Sequence, residues 1–271
     1  MRGTLSVRRV YAILGWSRSG FYAVPTPKPP VEACLAKAAR ALHRSSRQSY
    51  GARRMSRGLR RHGFAVGREK AATLMDRLDL RVRTKRYQHY RRNTKPAPAA
   101  NVLDRQFDPA GSNEAWAGDI TFIPTRQGWL YLAVVVDLFS RRIIGWATST
   151  VADTRLALAA SELAFALREP APGVIMHTDQ GCQYTSDRFV AHLAQHGAVQ
   201  SMSRKGNCWD NAAVERVFRS LKHEWLNGEP FPTREAARTE VIDYLIRYYN
   251  HERLHSSLDY RSPVEFETLA A

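Results

Sequence analysis

The chain has 271 residues, enough for about two domains and a sizeable hydrophobic core. With 44% hydrophobic and 24% charged residues, its composition excludes global disorder. Three scattered cysteines without a C-x-x-C pair exclude a disulfide scaffold and give no zinc signature. No apolar run approaches the ~18 residues of a membrane span, and M-R-G-T-L-S-V-R-R-V lacks a signal-peptide core. The expectation is a cytoplasmic chain with no membrane partner. Its formal net charge of +16 calls for a polyanionic partner.

That charge is unevenly placed. Residues 1–105 carry 25 Lys and Arg against 5 Asp and Glu, while the remainder carries 16 against 20. Arg-rich codon usage would load both parts alike, so the split points to a basic nucleic-acid-binding module joined to something else. Residues 5–14 read as a helix, Gly15 as a turn and Ser17 as the cap of a short second helix, an outline of a helix-turn-helix. A weak joint follows at Pro25–Pro30, then a helical stretch over 31–48. A clearer helix-turn-helix runs from Gly51 to Arg61, stops at His62-Gly63, and resumes from Gly67 to Leu78. On its last helix Ala71, Leu74, Met75 and Leu78 form the core stripe, whereas Arg68, Lys70 and Arg77 lie off it and are candidate phosphate contacts. The run from Arg81 to Arg92 is expected to lie along a DNA backbone. The proline- and alanine-containing stretch from Asn93 to Arg105 reads as an extended linker.

Beyond it the pattern changes. Trp116–Pro124, Gly128–Phe139 and Arg142–Ala147 read as three strands of an antiparallel meander. Residues 154–168 form a helix, Gly173–Asp179 a short buried strand, Ser186–His196 a helix and Ala198–Met202 another strand. This order predicts a ribonuclease-H-like α/β core: a mixed five-stranded sheet with flanking helices. The organisation expected is a helical basic region over 1–92, a linker over 93–112, the core over 113–228 and a helical C-terminal extension over 229–271.

Three carboxylates occupy informative places. Asp119 lies inside the first strand, where an acid is costly without a partner. Asp179 stands where the chain leaves the fourth strand, and Glu215 lies on a helix within the stretch Gly206–Glu224. Hard carboxylate oxygens suit Mg²⁺ or Mn²⁺, and two such ions can serve phosphoryl transfer. At about 100° per residue, Asn211, Glu215, Phe218 and Lys222 share one helix face, so Lys222 is placed to hold a phosphate or base. Asn211, Arg204 and Lys205 are further candidate DNA contacts.

W-A-G-D-I-T, V-V-D-L-F-S-R, H-T-D-Q-G-C-Q-Y and W-D-N-A-A-V-E-R-V-F-R-S-L-K, with 35 residues between Asp179 and Glu215, resemble bacterial insertion-sequence transposases with a retroviral-integrase-type DDE core. Y-Y-N-H-E-R-L-H-S-S-L-D-Y-R-S-P and L-G-W-S-R-S-G-F-Y extend the likeness over most of the chain. It resembles the larger, second-frame protein of elements that encode a transposase in two overlapping frames. The resemblance implies that Asp119, Asp179 and Glu215 are the catalytic and metal-holding triad, with Lys222 the basic residue after the glutamate. It implies two Mg²⁺ or Mn²⁺ ions and double-stranded DNA, both element ends and target. It further implies a homo-oligomer, a first-frame partner protein, and a nucleoid-associated location. The activity implied is cleavage at the ends of a mobile element followed by strand transfer. A nuclease with the same core and a DNA-binding repressor are the alternatives.

Three residues and one motif compete with this assignment. Asp137 ends a strand and reads as a turn or cap residue. Asp210 reads as a helix cap, and His177 as a structural or orienting residue. His251-Glu252-Arg253-Leu254-His255 matches the H-E-x-x-H zinc pattern, but Pro263 soon ends any helix and only Glu265 offers a near third ligand.

Overall fold

The computed structural model describes residues 33–83, 99–204, 208–226 and 230–270. The expected first helix-turn-helix, the Pro25–Pro30 joint, the basic run from Thr84 onward, the start of the linker and Lys205 lie outside these residues.

Strands β1 (Ala115–Thr125), β2 (Gly128–Asp137) and β3 (Ile143–Ser149) form the expected antiparallel meander. The tight β1–β2 connection needs the positive φ of Gly128, +100°, which a glycine adopts without steric cost. Strands β4 (Ile175–Thr178) and β5 (Val199–Met202) add in parallel beyond β1, giving the order β3-β2-β1-β4-β5. Parallel neighbours require crossovers. Helix α4 (Thr154–Arg168) supplies the one into β4, and α5 (Asp187–Gln195) the one into β5. Each is capped locally: Asp153 accepts from Leu156 N at 3.1 Å and Ser186 from Phe189 N at 3.4 Å. Helix α4 lies so close to β3 that a Cβ on Gly145 would fall 2.1 Å from the Ala160 carbonyl oxygen.

The sheet separates two cores. Trp116, Val135, Ile144 and Met176 pack with α4 and α5. Ala115, Ala117, Ile123 and Leu132 pack on the other face with helices α6 (Ala212–Ser220) and α7 (Arg234–Asp243). Odd-numbered residues of β1 therefore face α6, as a period of two requires.

The continuous helix that the shared face of Asn211 through Lys222 requires is a correction. The described part of this stretch is a 3₁₀ turn at Cys208–Asn211, then α6, then a wide π turn at Leu221–Trp225. The widening closes with Leu226 N donating to Leu221 O at 3.0 Å. It lets Leu221 and Trp225 both enter the core. Helix α7 likewise continues as wide turns over Tyr244–Glu252, and α8 (Pro263–Ala270) ends the fold.

In the N-terminal region, α1 (Ala33–Ser45), α2 (Ala52–Arg61) and α3 (Arg68–Arg77) enclose a small core of Leu35, Met55, Leu59, Ala71 and Leu74. His62 closes α2, Gly63 turns at φ +84°, and Gly67 opens α3, as the helix-turn-helix reading requires. Several of its arginines bind acids of the C-terminal half. Arg47 pairs with Glu240 at 2.7 Å, Arg54 with Glu224 at 3.0 Å and Arg61 with Glu265 at 2.8 Å.

The linker is docked where it is described. Ala100 O accepts from Met202 N at 3.1 Å, Leu103 N donates to Ser201 Oγ at 3.0 Å, and Leu103 is buried in the core.

Candidate active site

The two aspartates meet through sheet register. Gly118 of β1 lies opposite Thr178 of β4 in parallel pairing, so the next residues, Asp119 and Asp179, emerge side by side on strands spaced about 4.8 Å apart. Both have odd parity and share the face covered by α6. Asp119 is 9% exposed and its Oδ1 accepts from Ile120 N at 2.7 Å. Asp179 is half-buried just past β4, and its Oδ1 accepts from Gly181 N at 2.9 Å. A Cβ on Gly181 would sit 2.9 Å from that same oxygen, so the absent side chain makes room for the carboxylate.

Glu215 stands on the exposed side of α6, beside Val214 and Val217 that pack on the sheet, and α6 itself packs against β1. The shared face read for four residues divides here. Asn211 and Phe218 are buried, Glu215 is exposed, and Lys222 belongs to the π turn beyond α6. Lys222 Nζ lies 4.8 Å from the ring centroid of Phe122. Among the described residues, no three His, Cys, Asp or Glu side chains converge tightly enough to enclose a metal ion. Register brings Asp119 and Asp179 to the same end of the β1–β4 pair, and Glu215 is exposed on α6. Carboxylate oxygens oriented by backbone N–H groups, one on β1 and one in the turn just past β4, are the donors that hard divalent cations accept, so the residues present fit Mg²⁺ or Mn²⁺.

The surroundings hold the strand ends in place. His177 is buried, its Nδ1 2.9 Å from Ser201 Oγ and its Nε2 3.1 Å from Ser203 Oγ. Burial pushes its pKa down to about 4, so a neutral ring pins β4 to β5. Gln180 Nε2 donates to Ser203 O at 2.7 Å.

Asp210 corrects its reading as a helix cap. It is fully buried, and the position before α6 belongs to Asn211, which makes no side-chain cap bond. Asp210 instead accepts from Arg105 Nε at 2.8 Å, Arg204 N at 2.9 Å and Asn101 Nδ2 at 3.1 Å. Burial raises its pKa, but the Arg204 amide and the Arg105 guanidinium outweigh this and hold it below the usual carboxylate range. Arg204, expected on DNA, is thereby engaged with Asp210 and Asp104. Arg68 and Lys70 are exposed on α3, and Arg77 is half-buried there.

The competing motifs resolve physically. Asp137 is fully buried; its Oδ1 accepts from Ser140 N at 2.9 Å and its Oδ2 from Asn113 N at 2.8 Å, which is a turn role. It lies opposite Trp116, three residues along β1 from Asp119. His251 and His255 do not share a helix face, because the wide turn ends at Glu252 and Arg253 is extended. His255 is buried against Tyr249, and Glu265 is paired with Arg61.

Family models agree with this layout. An integrase core domain matches residues 109–208, a second integrase core model matches 196–263, and an HTH-like domain matches 31–88. The transposase for insertion sequence element IS904 of Lactococcus lactis is 40% identical over 235 residues, 86% of this chain and 93% of that one. The chain belongs to the insertion-sequence transposases. Transposase InsF for insertion sequence IS3A of Escherichia coli K12 is 39% identical over 272 residues, 97% of this chain and 94% of that one. Among solved structures, a chain of the simian T-cell lymphotropic virus intasome in complex with PP2A regulatory subunit B56 gamma is 18% identical. Its TM-score is 0.48, covering 86% of the transposase and 74% of that chain. The transposase acts in DNA transposition and integration through a metal-dependent integrase core with polynucleotidyl transferase chemistry. Among its described residues, no helix is long and apolar enough to cross a membrane.

Proposed function

We propose that Asp119, Asp179 and Glu215 form the DDE triad that cuts DNA at the ends of a mobile element and joins the freed 3′-hydroxyl to a target strand. The observation that carries this reading is the register of β1 and β4, which sets Asp119 beside Asp179 where the two strands part. Two divalent ions, when bound, would neutralise charge on the attacking and leaving oxygens of phosphoryl transfer. Asp119 offers its oxygens from β1 and Asp179 from the turn just past β4, and neutral His177 keeps the end of β4 aligned with β5. Glu215 completes the set from α6. Glu215 is exposed on α6, and on this reading closure of the triad accompanies DNA binding. Lys222 holds a phosphate or base beside the carboxylates, and Asn211 lines the start of α6.

Cleavage uses water and joining uses the 3′-hydroxyl, both by in-line attack in one site without a covalent enzyme intermediate. The helical region with Arg68, Lys70 and Arg77 holds the duplex by its phosphates. The working assembly is a homo-oligomer on double-stranded element ends and target DNA, extended by the first-frame protein of the same element, in the bacterial nucleoid. Labelled end duplexes incubated with Mg²⁺ test the reading. Cleaved and joined products support it, and cleavage without joining would leave a nuclease.

A further inference from the structure

Beyond Asp119, β1 loses β4 as its neighbour, since the paired stretch ends at Gly118 and Thr178. The outer part of β1 and the start of β2 form a hairpin that Phe231 bridges at Thr125. There Phe122 and Trp129 are 42% and 48% exposed, with ring centroids 5.0 Å apart in an edge-to-face arrangement. Single exposed apolar residues are ordinary, but a packed aromatic pair left in solvent marks a contact surface. The pair is rigidly mounted. Arg234 Nε donates to Trp129 O at 3.2 Å and Arg234 N to Gln127 Oε1 at 3.0 Å, so α7 buttresses the hairpin.

Cations gather around it. Lys222 Nζ lies 4.8 Å from the Phe122 centroid, Arg126 is exposed at the hairpin turn, and Arg234 reaches under Gly128. Yet residues 106–271 as a whole carry four more acids than bases. A local positive patch around exposed rings complements a ligand that joins anionic groups to flat apolar faces. Nucleic acid has that chemistry, and its base faces are reachable only at unpaired or terminal positions. Phe122 lies on the strand that carries Asp119, on the opposite face, and Lys222, which contacts its ring, follows the helix that carries Glu215. Phe122 is three residues from Asp119 along β1, about 10 Å at ~3.3 Å per residue, or about three nucleotide steps at ~3.4 Å each.

We infer that Trp129, backed by Phe122, is a stacking platform for an unpaired nucleobase at the DNA end, with Lys222 and Arg126 meeting the flanking phosphates. The inference rests on the assignment of Asp119 to catalysis, and its test separates the two. The full chain is mixed with end duplexes carrying 2-aminopurine at each of the last three positions, using wild type, Trp129→Ala, Trp129→Phe and Asp119→Asn. Wild type changes the fluorescence at one position on binding. Asp119→Asn gives the same change but no joining. Trp129→Ala loses the change and joins at least about tenfold less, from the worth of one base–aromatic stack, at unchanged melting temperature. Trp129→Phe restores both. A Trp129→Ala protein that keeps the fluorescence change overturns the platform, whether or not joining falls. Joining by Asp119→Asn would overturn the catalytic assignment and leave the platform to be judged by fluorescence alone.

Discussion

Arg253 forks onto Glu224, its Nε and Nη2 each 2.7 Å from a carboxylate oxygen, and both side chains are almost fully buried. Arg54 of α2 reaches the same carboxylate from the helix-turn-helix region at 3.0 Å. One glutamate on the π turn after α6 thus joins the basic region, the helix of Glu215 and the C-terminal extension. Burial raises the Glu224 pKa, but Arg253 and Arg54 outweigh it and hold the carboxyl below the ordinary range.

Removing one partner of such a pair strands a buried charge. Glu224→Gln is expected to cost about 3–5 kcal/mol of stability, read as a lower denaturation midpoint. Arg54→Ala, at the more exposed arm, is expected to cost about 1 kcal/mol or less. Equal losses for both would show that the three groups do not rank by burial.

Acidification should destabilise the protein in two stages. Burial lowers the pKa of His177 to about 4, and lowers those of His192 and His255. The unfolded chain therefore takes up protons that the fold refuses, and stability falls as pH drops from about 6.5 toward 4. Glu224 and Asp210, with lowered pKa values, add a further loss as pH falls below their ordinary carboxylate values. Denaturation midpoints across this range check the sign. His255→Gln should flatten the first stage, and an unchanged slope would remove His255 from the account.

Gly181→Ala tests the placement of Asp179 without touching its charge. The new Cβ would meet Gln183 Oε1 at 2.8 Å and Asp179 Oδ1 at 2.9 Å, so both side-chain ends must shift. Joining should fall by roughly 10²-fold, the scale of a ~1 Å misplacement at a reacting centre. The melting temperature should change little, because the displaced atoms are the ends of side chains. Joining at the wild-type rate would mean that the site tolerates the shift.

Asp137→Asn should behave in the opposite way. Its oxygens serve the turn at Ser140 and the Asn113 amide, so the variant loses stability but keeps substantial joining per folded molecule. A loss as deep as that of an Asp119 variant, at unchanged melting temperature, would place Asp137 in the catalytic set.

The core was readable from sequence where its signals are local. Alternation over Trp116–Pro124 and the glycine at 128 define the first hairpin, and Asp153 and Ser186 announce α4 and α5. Long-range partners are not encoded locally. Asp210 looks like a cap because it precedes Asn211, and nothing nearby reveals that Asn101 and Arg105 bind it. The π turn after Ser220 escapes because an apolar helical pattern absorbs one extra residue. Arg47, Arg54 and Arg61 belong to the basic excess of the first part of the chain, yet their acids lie 193, 170 and 204 residues away. In the site, Asp119 and Asp179 were legible from strand position, and Gly181 was not, since its role is a missing side chain. Phe122 and Trp129 look like ordinary strand aromatics until the end of β4 leaves them in solvent.

The most direct measurement is strand joining on labelled end duplexes with Mg²⁺, comparing wild type with Asp119→Asn, Asp179→Asn and Glu215→Gln, alongside DNA binding and melting temperature. Joining should disappear in all three variants. DNA binding and melting temperature should stay close to wild type, because the proposed function gives the phosphates to the basic helical region rather than to the carboxylates. Near-normal joining by any one variant that is folded and bound would remove that carboxylate from the triad and contradict the account.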